Sequence, residues 1–110
     1  KHIDLLFSEG KSVSKYPLRL VYVPIELEAG EKIKIGVSVS KKNFKKAVDR
    51  NHYKRLLREC YRLNKHILLE TMDRPYAIMF FYQTKDAMTF HEMNEKTVQL
   101  FEKFILEIKK

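Results

Sequence analysis

The 110-residue sequence predicts an α+β or α/β two-layer sandwich: one small mixed sheet packed by helices. Three observations carry the prediction. Residues 33–39 alternate strictly, with Ile33, Ile35, Val37 and Val39 on one face and Lys34, Gly36 and Ser38 on the other. Two later segments, from Arg50 to Ile67 and from Met93 to Ile108, repeat their apolar residues at helical spacing. Between them lies a nearly continuous apolar run, "PYAIMFFY", of the kind that suits a buried central strand.

Taken in order, "HIDLLFSEG" places Ile3, Leu6 and Phe7 on one helical face and stops at Gly10. "LRLVYVPIEL" is rich in Val, Leu, Ile and Tyr and reads as a strand, with Pro24 marking an edge or an end. "EAGE" is a turn, so this strand and "KIKIGVSVS" are expected to form a hairpin. A basic helix follows, then the apolar strand. Thr89 with Glu92 three residues on is a capping box, opening a last helix on Met93, Thr97, Leu100, Phe101, Phe104 and Ile108. The length fits a single domain spanning 1–110, and Lys1 need not be the native start.

The composition narrows the class. At 45% hydrophobic and 33% charged, the chain has enough apolar material for one core. No run approaches the ~20 apolar residues that span a bilayer, so no membrane role is expected. One cysteine, Cys60, allows no internal disulfide, and a reduced, cytoplasmic setting is the simplest expectation.

The net charge is +8, and all of it sits in one quarter of the chain. Residues 41–65 hold ten basic and two acidic side chains, while the other 85 hold twelve of each. Concentrated like charge repels itself unless a polyanion compensates, and a merely solvated helix face usually mixes signs. At about 100° per residue from Arg50, the side chains of Asn51, Lys54, Arg55, Arg58 and Arg62 fall with Arg50 in one arc. Tyr53, Leu56, Leu57, Cys60, Leu63 and Ile67 fall in the opposite one. The helix thus buries one face and offers the other to phosphates. Arg supplies planar bidentate donors and Lys a point charge.

Those residues also carry a resemblance. "RNHYKRLLRE", Arg50 to Glu59, resembles the R-N-x-x-K-R-x-x-R-E signature of the bacterial ribonuclease P protein subunit. "IGVSVSKK" is similar to the strand that leads into that helix, and "LLFSEGKSV" to the family's N-terminal helix and turn. The resemblance implies a βαβ crossover of left-handed sense, in a ribosomal protein S5 domain 2-like fold, where strand physics alone predicts a right-handed one. It implies a subunit, one protein per RNA, that binds a catalytic RNA and the 5′ leader of precursor tRNA and assists removal of the leader. Phosphodiester hydrolysis would then occur in the RNA, with Mg²⁺ acting through the RNA.

Residue by residue, the resemblance implies that Arg50, Asn51, Lys54, Arg55 and Arg58 meet the catalytic RNA. Arg62 extends the same stripe. Lys41 and Lys42 match paired lysines ahead of the signature, and Lys45 and Lys46 complete a basic loop. That loop, "NFKKAVD", lacks the Gly-containing turn of many members and resembles a longer variant. Phe7 matches an aromatic of the leader cleft, Ile3 sits where a second aromatic is common, and Tyr22 lies in a strand that contributes to the cleft. Read from spacing alone, Phe7 is a core residue.

Catalysis by the chain itself finds no support in the pattern. His2, His52, His66 and His91 show no metal-ligand spacing, and His52 and His66 lie about 21 Å apart along one helix. Cys60 falls on the apolar face. No nucleophile elbow, P-loop or Cys-x-x-Cys is present. Two rivals stay open: a ribosomal or other structural RNA-binding protein with a basic helix, and a protein-only nuclease using a histidine.

Overall fold

The structure is a computed structural model that describes residues 10–25, 32–72 and 74–109. The expected N-terminal helix, with Ile3, Leu6 and Phe7, and the expected turn at 28–31 lie outside the described residues.

Four strands and two helices follow in the order β1 (Lys11–Lys15), β2 (Leu18–Pro24), β3 (Ile33–Val39), α1 (Ala47–Leu69), β4 (Tyr76–Tyr82) and α2 (Phe90–Ile108). The strands form one mixed sheet in the order β1-β2-β4-β3. β1 and β2 make a tight hairpin whose turn contains a cis Tyr16–Pro17 bond. β4 pairs antiparallel with β2 and parallel with β3. The parallel pair is joined through α1, which gives the expected βαβ crossover.

Two features depart from the sequence reading. The hairpin expected between β2 and β3 is not formed, because β4 lies between them. The physical reason is burial: a strand as apolar as Tyr-Ala-Ile-Met-Phe-Phe-Tyr gains most at the centre of a sheet, where five of its seven residues are buried and the other two, Met79 and Phe81, are half-buried. β1 was not anticipated; its "KSVSK" has a single buried residue, Val13, on an edge flanked by lysines.

The register sorts the side chains. Leu18, Leu20 and Tyr22 of β2 share a face with Ile78, Phe80 and Tyr82 of β4 and with Ile35, Val37 and Val39 of β3. Both helices cover this face. α1 contributes Leu57, Cys60 and Leu68, and α2 contributes Met93, Leu100, Phe101 and Phe104, all fully buried. Each such large apolar side chain stabilises the fold by roughly 1.5–3 kcal/mol. The sheet's other face carries a smaller apolar cluster around Val23 and Ala77, with Val21, Ile25 and Met79. Gly36 faces that side, where a Cβ would come within 3.1 Å of the Met79 sulfur.

α2 begins as its sequence predicts. The Thr89 side chain accepts from the Glu92 backbone N–H, and the Glu92 carboxylate accepts from the Thr89 backbone N–H. These bonds hold the Glu92 carboxyl below the usual carboxylate range.

Candidate nucleic-acid interface

α1 starts three residues ahead of Arg50 and runs for 23 residues. Its buried residues are Tyr53, Leu57, Cys60, Asn64 and Leu68, a period of three to four that keeps one face on the sheet and α2. Asn64 is the polar member missed by a reading of apolar residues alone. Its amide nitrogen donates to the Cys60 carbonyl at 2.8 Å and to Asn94 Oδ1 at 2.7 Å. Leu63, placed on the apolar arc by spacing, lies at the arc's margin and is 43% exposed.

Burial of the opposite arc brings the basic residues together on the outside. Asn51, Arg55, Arg58 and Arg62 are exposed, while Arg50 and Lys54 are half-buried. No described residue pairs with Lys54, Arg55 or Arg58. Arg62 forms a bidentate ion pair with Glu59 one turn back, which holds the Glu59 carboxyl below its ordinary range and raises the guanidinium. Such a solvent-exposed pair adds little stability. Arg50 differs from the rest of the stripe: its Nη1 donates to the carbonyls of Phe44 at 2.8 Å and Lys45 at 2.9 Å.

The loop before α1 presents Lys41, Lys42, Lys45 and Lys46, all exposed. It is tied down locally. The Lys42 N–H donates to Ser40 Oγ at 3.1 Å, and the Phe44 N–H donates to the Ser40 carbonyl at 3.0 Å. The Phe44 ring lies on Tyr53 of α1, with centroids 4.7 Å apart, and against Tyr82 of β4 at 6.0 Å. Tyr53 and Tyr82 stack at 4.8 Å and 9°. Charge and helical spacing do not single out Phe44; its one signal in the sequence is that it is an aromatic among four lysines.

The cleft residues divide. Ile3 and Phe7 lie outside the described residues. Tyr22 is buried on the helix-covered face, edge-on to Phe104 at 4.7 Å and to Tyr76 at 5.9 Å. It also borders a cavity of about 400 Å³ with Lys11, Arg74 and Glu107. His52 packs edge-on to Tyr53, and His91 pairs with Glu95 at 3.0 Å. Cys60 is buried, and burial pushes its thiol up. Among the described residues, no group of three or more His, Cys, Asp or Glu side chains comes together to hold a metal ion, and no helix is long and apolar enough to cross a membrane.

A mixed four-stranded sheet with both helices on one face, and a crossover helix that is polycationic on its outer side, defines a small α+β domain built to display that helix. The family model for ribonuclease P matches residues 1–105. A ribonuclease P protein component from Porphyromonas gingivalis is 39% identical, over 88% of this chain and 72% of that protein. One from Dictyoglomus turgidum is 36% identical, over 89% and 78%. In three dimensions, the ribonuclease P protein of Thermotoga maritima matches with a TM-score of 0.76 at 24% identity, over 94% of this chain and 91% of that one. That of Staphylococcus aureus matches with 0.68 at 23%, over 99% and 89%. The two structural likenesses speak for the fold. The family model and the curated relatives make the chain a member of the ribonuclease P protein family.

Proposed function

We propose that this chain is the protein subunit of a ribonuclease P holoenzyme, binds its catalytic RNA, and assists endonucleolytic removal of the 5′ leader from precursor tRNA. The single observation that carries the reading is the outward stripe of Asn51, Lys54, Arg55 and Arg58, whose three cations have no described partner, on a helix whose opposite face packs Tyr53, Leu57, Cys60, Asn64 and Leu68 into the core. Arg62 and the loop lysines Lys41, Lys42, Lys45 and Lys46 extend it. Contacts of this kind give affinity with little sequence information, which suits a subunit that serves many tRNAs.

In this reading the chain's own residues bind and orient, and hydrolysis takes place in the RNA. Mg²⁺ would act through the RNA. Ile3, Phe7 and Tyr22 are the leader-cleft candidates; Ile3 has no ring to stack, whereas an aromatic ring in such a cleft adds roughly 1–3 kcal/mol per stacked base. One protein acts per RNA, in the cytoplasm, where precursor tRNA is made.

Reconstitution tests the proposal. Protein added to ribonuclease P RNA should stimulate 5′ cleavage of precursor tRNA at low Mg²⁺, and protein alone should cleave nothing. Binding without stimulation at any Mg²⁺ level would return the chain to the structural RNA-binding class. Cleavage by protein alone, lost in His52→Ala, would make it a nuclease.

A further inference from the structure

The start of α1 is an adverse place for another cation. The helix dipole already puts positive charge there, Lys46 at the cap makes no side-chain capping bond, and four of the six residues 41–46 are lysines. A segment of that composition repels itself and extends when nothing holds it. Here it is folded back on the helix instead. Besides the Ser40 bonds and the Phe44–Tyr53–Tyr82 ring contacts, the tie that closes it is Arg50. Both Nη1 hydrogens have acceptors, the carbonyl oxygens of Phe44 at 2.8 Å and Lys45 at 2.9 Å. Charge-assisted bonds of this kind are strong, and the planar guanidinium fixes both directions at once, which an ammonium on a flexible stem does not.

From this geometry we infer that Arg50 is a positioning residue: it clasps the 41–46 loop against α1 and so sets Lys41, Lys42, Lys45 and Lys46 beside Asn51, Lys54, Arg55 and Arg58, instead of serving as one more phosphate ligand of the stripe. The clasp stands on the hydrogen bonds and the ring stack. Its consequence for RNA affinity rests on the function proposed above.

Two measurements on the full chain separate these levels. The first needs no RNA. Limited trypsin digestion, with products mapped by mass, follows cleavage after Lys45 and Lys46. Arg50→Ala and Arg50→Lys should both raise that cleavage on the order of tenfold, as expected for losing charge-assisted bonds. Phe44→Ala should raise it with Arg50 intact, and Arg58→Ala should leave it at the parental rate. If Arg50→Ala does not fold by circular dichroism, Arg50→Lys and Phe44→Ala carry the test.

The second measurement is affinity for ribonuclease P RNA. Arg50→Lys, which keeps the charge, should bind as weakly as Arg50→Ala. Lys45→Gln with Lys46→Gln should weaken the parent strongly and the Arg50→Lys protein little, a non-additivity that reports one shared unit. Parental loop cleavage in both Arg50 variants overturns the clasp. Parental affinity in Arg50→Lys, or additive losses, overturns the positioning role. A parent protein that binds no RNA would sink the proposed function, while the trypsin result still decides the clasp.

Discussion

Asn64 of α1 and Asn94 of α2 are joined across the helix pair by a 2.7 Å hydrogen bond from the Asn64 amide nitrogen to the Asn94 side-chain oxygen. The same nitrogen donates to the Cys60 carbonyl, so both of its hydrogens have acceptors inside the helix interface. Among the described residues no buried side-chain nitrogen or oxygen lacks a partner. This pair is therefore a polar lock between the helix that carries the cations and the helix that backs it.

The lock makes a stability prediction. Asn94→Ala leaves a buried amide hydrogen unmatched and should cost about 1–3 kcal/mol, read from the urea midpoint. The double variant Asn64→Leu/Asn94→Leu removes both partners together and should lose less than the single one. A double variant weaker than the single would show that packing, not hydrogen bonding, dominates the contact.

A second prediction concerns the stripe. Arg55→Ala and Arg58→Ala remove exposed guanidinium groups without a described partner, so the fold and melting temperature should hold. Each should reduce the slope of log affinity against log salt for ribonuclease P RNA by about 1. A parental slope would exclude phosphate contact by that residue.

A third prediction follows from Tyr82. Burial, with Tyr53, Asp86 and Glu92 nearby, pushes its phenol up to about 12, and its hydroxyl donates to the Asp86 carbonyl at 2.6 Å. Because the folded protein resists ionisation that the unfolded chain accepts near 10, Tyr82 contributes stability that is fully present below that pH. The contribution is lost as pH rises from about 10 to 12. Thermal melts over that range should show a steep fall that Tyr82→Phe flattens. An equally steep fall in Tyr82→Phe would assign it to other groups.

How much of this was legible beforehand depends on the kind of signal. The buried faces of α1 and α2 were readable because 3.6-residue periodicity is local: Tyr53, Leu57 and Cys60, and Met93, Leu100, Phe101 and Phe104, are buried as their spacing requires. The Thr89–Glu92 capping box was readable for the same reason. Strand order was not. Adjacency in sequence favoured a β2–β3 hairpin, but the apolar content of β4 draws it between them, and no local rule weighs those alternatives. β1 has one apolar residue in five, too few to alternate. On the interface, the wheel found the stripe from charge and spacing. It could not see that Arg50 bonds backward to carbonyls five and six residues earlier, because that depends on the path of the loop.

The central position of β4 also governs the order in which a growing chain can be completed. β1 and β2 have each other, but among the described residues β3 pairs only with β4, which follows the other three strands in the sequence. Until residues 76–82 have left the ribosome, the 23-residue helix connecting β3 to β4 has half a platform beneath it. α2, which supplies its other neighbour through Asn94, comes later still. The polycationic surface is thus assembled only after β4 and α2 have both been made, and a chain cut short of them would carry its lysines and arginines without a frame to aim them.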